Sequence, residues 1–200
     1  MNALPDPAAG QLWLVITPHG FNEILNEFTA RLASRGSVRV LDGGNCFNAY
    51  QVSRILAHSL SSASSGSKPG HQPSDLHTAL ERIHVARAFT CYQVHTLLAE
   101  TPCSPHPTLV LDLLSTFYDE SVTLNESQRL VNDCLYHLRR LSEKAPVVVS
   151  TRPHKRPINP MGDADNPDRS CLLERVRSAV HQVIAFYTPT QPDRQLRFDI

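Results

Sequence analysis

A chain of 200 residues, with 19 Lys plus Arg against 19 Asp plus Glu, is sized for one domain built on a sheet of about five to seven strands. Balanced charge leaves no global field to gather nucleic acid or anionic lipid, so any such binding must come from a local patch. Five scattered cysteines fit no disulfide framework and suit reduced thiols in a cell interior, cytoplasm or nucleus. No apolar run nears the ~18 residues of a spanning helix, and the N-terminus lacks a basic region followed by an apolar core, so no membrane partner is expected.

Taken in order, residues 1–11 carry Pro5, Pro7 and Gly10 and are expected as a disordered lead. Residues 12–17 predict a strand, and residues 22–34 an amphipathic helix with Leu25, Phe28 and Leu32 on one face. Gly36 is its expected stop. A second strand over residues 38–42 runs into the turn Gly43-Gly44-Asn45 and then a helix carrying Val52, Ile55, Leu56 and Leu60. Residues 61–73 turn to Ser, Gly and Pro and are expected as a flexible linker.

Beyond the linker, residues 82–87 predict a third strand with Ile83 and Val85 facing in, and residues 93–99 a helix. Pro102, Pro105 and Pro107 force an extended loop. An apolar strand follows over residues 108–113, and Asp112 stands at its carboxyl end. Thr123 and Glu126 have capping-box spacing ahead of a helix that turns Leu130, Cys134, Leu138 and Leu141 inward. Residues 147–151 form the next strand, and residues 152–169 a polar, Pro-rich loop expected to be flexible. A short element at Leu172-Leu173 and two strands, residues 181–188 and 195–199, are expected to close the sheet as an antiparallel extension. Short Val-rich runs alternating with helices predict an α/β three-layer fold, a mainly parallel sheet covered on both faces.

The strings IHVARAFTCYQ, TLVLDLLSTFYDESVTLNESQRL and PVVVSTR occur in that order. Together they resemble the ATPase core of the RecA/RadA recombinases, above all the archaeal and eukaryotic branch and its paralogues. Ala86, Arg87, Ala88, Phe89 and Gln93 carry the most distinctive match. The resemblance spans residues 12–200 and implies a single RecA-like core domain of the P-loop NTPase type. Asp112 then takes the Walker B position, residues 114–123 correspond to a first DNA-binding loop and residues 152–169 to a second.

Departures from that pattern are as informative. A phosphate-binding loop ends in glycine, lysine and a hydroxyl, which reach the phosphates and magnesium. Counted from Gly20, the final glycine, lysine and hydroxyl positions are occupied by Leu25, Asn26 and Glu27, a degenerate Walker A in which Glu27 would repel phosphate. The glutamate that orients water after the second strand also has no counterpart in Asp42-Gly43-Gly44-Asn45. Catalytic residues are therefore not expected, and neither is a cofactor; the alternative is an ATP-binding RecA-like ATPase that takes ATP and Mg2+ on an atypical phosphate loop.

Asp112 either orients a metal or serves as a strand-end acid bonded to loop amides. Cys91, His95, Cys103 and His106 have donor atoms suited to zinc but lack a CxxC knuckle. Arg152, Lys155 and Arg156, with His154, form a basic patch suited to DNA phosphates regardless of sequence, though Asp163, Asp165 and Asp168 offset its charge. Phe117 and Tyr118 either stack on bases or pack beneath their loop. The sequence therefore reads as a non-catalytic recombination or DNA-repair accessory that binds DNA, a related RecA-like subunit, or both. With so short a lead before the first strand, a homodimer or hetero-complex is expected rather than a long filament.

Overall fold

The computed structural model describes residues 4–18, 22–63, 73–153 and 169–186. Its strands are β1 (Leu12–Ile16), β2 (Val38–Asp42), β3 (Ile83–Arg87), β4 (Thr108–Leu111), β5 (Val147–Thr151) and β6 (Gln182–Ala185). Its helices are α1 (Asn22–Arg35), α2 (Ala49–Ala63), α3 (Pro73–Glu81), α4 (Cys91–Glu100), α5 (Leu124–Ser142) and α6 (Ser170–Ala179). The six strands form one sheet in the order β3-β2-β4-β5-β1-β6, and every pairing is parallel.

Period-two alternation divides the core between the two faces of this sheet. Trp13, Val15, Val40, Leu109, Leu111 and Val148 pack with Leu25 and Phe28 of α1, while α2 and α3 join α1 through Ala30, Val52, Leu56 and Ala79. Leu12, Leu14, Leu41, Val110, Val147 and Val149 face the other way, against α4, α5 and α6. Because both faces are covered, the inner strands are largely apolar, as in the fully buried TLVL of β4.

Helix α5 follows its sequence signal closely. The Thr123 hydroxyl accepts from the Glu126 amide at 3.3 Å, which caps the helix, and Leu130, Cys134, Leu138 and Leu141 are all buried. The Glu126 carboxylate turns to Arg129, so one arm of the capping box is made. At α4, Thr90 caps the Gln93 amide and the Gln93 side chain accepts from the Phe89 amide at 2.8 Å. These bonds start the helix two residues before the expected position.

Several expectations are corrected. Residues 4–11 are not a disordered lead: Leu4 is buried in the α1 cluster, and Asp6 pairs with Arg31 and Arg35. α2 runs on to Ala63 and α3 begins at Pro73, so the expected linker is helical at both ends, and residues 64–72 lie outside the described residues. Val85 is 42% exposed because β3 is, among the described residues, an edge strand with a neighbour on one side alone. The expected Leu172-Leu173 element is part of the ten-residue α6. That helix crosses the sheet between β5 and β6, so β6 returns parallel to β1 and not antiparallel. Residues 195–199 lie outside the described residues.

Candidate functional site

The strand order creates a crevice where the chain leaves two neighbouring strands in opposite directions. β2 leads to α2 on one face, and its neighbour β4 leads to a 3-10 turn (Ser115–Tyr118) and α5 on the other. In open α/β sheets such a switch at the carboxyl ends of the strands is where ligands bind. Four charged residues stand along this edge in strand order: Arg87 from β3, Asp42 from β2, Asp112 just past β4 and Arg152 just past β5.

Asp42 is fully buried. Its carboxylate accepts from the amides of Cys46 at 2.9 Å and Phe47 at 3.0 Å, and Arg87 Nε lies 3.4 Å away. The acid therefore organises the turn leaving β2, where Asn45 has φ 52°, a left-handed conformation that asparagine tolerates well.

Asp112 has φ 50° and is 3% exposed. Its amide donates to the Ser150 hydroxyl at 2.9 Å, which diverts the chain from the β4–β5 ladder. The carbonyl then accepts from Ser115, opening the 3-10 turn. One carboxylate oxygen accepts from the Arg152 amide at 3.2 Å, and the other meets the Arg152 guanidinium in a short ion pair. Burial alone would lower the Arg152 pKa, but the hydrogen bond and charge of Asp112 outweigh it and leave the value raised.

Gly44 closes the crevice from the β2 side. A Cβ there would come within 2.5 Å of both Cβ and Oδ2 of Asp112, so glycine is required for close approach. The Cys46 thiol reaches the same Oδ2 at 3.9 Å. Burial, then the Asp112 charge, pushes its pKa up to about 12, so this sulfur, whose nearer acceptor is the Gly44 carbonyl at 3.4 Å, stays a thiol and is not a thiolate nucleophile. Tyr118 stays a phenol as well, its pKa raised by burial and by Asp112.

The degenerate phosphate-loop residues do not join this crevice. Leu25 is in the core beneath the sheet, Asn26 is buried with its amide on Gln51 of α2 at 2.7 Å, and Glu27 is exposed. Glu27 lines a groove of about 440 Å³ between α1 and α2, with Glu23, Arg54 and His58. Gly20 lies outside the described residues, as do His154, Lys155, Arg156, Asp163, Asp165 and Asp168. Of the basic patch, Arg152 alone is described, and it is joined to Asp112, a contact between two residues the sequence had assigned to separate sites.

The expected second loop is anchored at both ends. At its far end Arg169 is 3% exposed and donates to the Phe117 carbonyl at 2.7 Å, to Ser127 Oγ at 3.1 Å and to the Val122 carbonyl. This guanidinium ties the segment after β4 to the start of α6. Phe117 is fully buried beneath it, so packing, not base stacking, is its role. The four zinc-type donors also part company: Cys91 is in the core, His95 meets His137 edge-on, Cys103 lies against Arg140, and His106 is exposed with its amide on Ser104 Oγ. Among the described residues no group of three His, Cys, Asp or Glu is placed to hold a metal ion, and no helix is long and apolar enough to cross a membrane.

No known family model matches this chain, and no curated protein matches it significantly.

Proposed function

We propose that this chain is a RecA/RadA-like recombination or DNA-repair accessory that does not hydrolyse ATP and works by contact with DNA phosphates and with a related subunit. The observation that carries the reading is the ion pair between Arg152 and Asp112. In the family the chain resembles, an acid at the end of this strand orients the metal; here a guanidinium supplies the positive charge beside it. Magnesium with ATP does not fit the residues present. Leu25 and Asn26 are committed to the core and to Gln51, Glu27 adds negative charge, and phosphoryl transfer depends on positioning and charge stabilisation.

What remains is a scaffold, with an interior acid-base pair in place of nucleotide chemistry. Sequence-independent phosphate contact is assigned to Arg152, Lys155 and Arg156. Replacing all three with Ala is expected to weaken single-stranded DNA binding in fluorescence anisotropy and to reduce the salt slope by up to about 2, at ~0.7 per phosphate contact. An unchanged slope removes DNA from the reading. ATP turnover that is lost in Asp112→Ala overturns the non-catalytic part.

A further inference from the structure

We infer that Asp112 is a built-in competitor for phosphate at Arg152, so that their ion pair is an autoinhibitory contact on nucleic-acid backbone binding. This rests on the assignment of Arg152 to phosphate contact made above.

The two partners differ in burial. Asp112 is held from every side: its amide by Ser150 Oγ, one carboxylate oxygen by the Arg152 amide, its Cβ by the close approach of Gly44, and its backbone at φ 50°. Its side chain is 4% exposed, whereas that of Arg152 is 28% exposed. The Arg152 side chain is thus the more open of the two to a solvent anion, which cannot reach the carboxylate directly. Arg152 follows the last residue of β5, so its backbone lies just outside the ladder that fixes the strand. Carboxylate and phosphate both engage the same planar fork of guanidinium donors. A phosphate must therefore draw Arg152 from an acid that would be left buried with the Arg152 amide as a donor, and this loss opposes binding.

Asparagine removes the charge with the least disturbance, since it tolerates left-handed φ and keeps an oxygen for the Arg152 amide. The test is anisotropy of a labelled single-stranded oligonucleotide across several salt concentrations with the wild type, D112N, R152Q and D112N/R152Q. D112G, which also suits φ 50° and has no carboxylate, stands in if D112N does not melt cooperatively. The expected result is D112N binding on the order of tenfold tighter at low salt, and loss of that gain in D112N/R152Q.

Weak or no binding by the wild type with tight binding by D112N gives the same support. Wild-type binding that D112N and D112G leave unchanged overturns the competition and leaves the accessory function standing. A gain of equal size in the R152Q background shows a general charge effect and also overturns it. Failure of every variant to bind DNA overturns both this inference and the DNA part of the proposed function.

Discussion

Gly44 and Asp112 meet more closely than any side chain on the glycine would allow, and this contact fixes the geometry of the crevice. Gly44→Ala should cost about 2 kcal/mol, since the 2.5 Å overlap falls on a residue that cannot retreat. Denaturant unfolding reads this directly, and unchanged stability would mean the turn shifts freely. Arg152→Ala should cost about 3 kcal/mol because it leaves the Asp112 carboxylate buried without its cation. D112N/R152Q, which removes both charges, should lose less than Arg152→Ala alone in the same measurement. Equal losses would assign the effect to packing of the arginine stem and not to the charge left behind.

At the scale of elements, the interface of α4 and α5 is expected to be acid-sensitive. His137 on α5 meets His95 on α4 edge-on at 5.7 Å between ring centroids. Burial, then the electrostatic influence of Arg140 and of His95, lowers the His137 pKa from 6.5, with Asp133 opposing. Between that lowered value and 6.5 the unfolded chain binds more protons than the folded one. The stability contribution is therefore complete above pH 6.5 and declines as pH falls through the folded pKa. Thermal melts over this window should show the decline, and His137→Gln should flatten it; an unaltered profile would place the acid sensitivity elsewhere. Elements of this kind were legible where periodicity was strong, as in the inward Leu130, Cys134, Leu138 and Leu141 of α5 and the Val-rich β5. α3 was hidden because PSDLHTALE comes at the end of a stretch rich in Ser, Gly and Pro. The direction of β6 was hidden because α6 was read as a fragment, and a full crossover helix is what makes the returning strand parallel.

For the whole molecule, strand order does what local sequence could not show. Asp112 and Arg152 are 40 residues apart, and only the pairing of β4 beside β5 brings them together. The acid was readable as the end of a buried strand and the arginine as a cation after another; their union was not, because no short-range pattern encodes which parallel strands are neighbours. The same order sets Arg87, Asp42, Asp112 and Arg152 along one edge, so the crevice carries two carboxylates with a cation beside each. Such a site has its charge satisfied by the chain itself. The central claim, that Arg152 takes the place of nucleotide and metal beside Asp112, is tested most directly by calorimetric titration of the wild-type chain with ATP and magnesium. The account predicts no saturable heat at micromolar ATP, and a micromolar dissociation constant would contradict it.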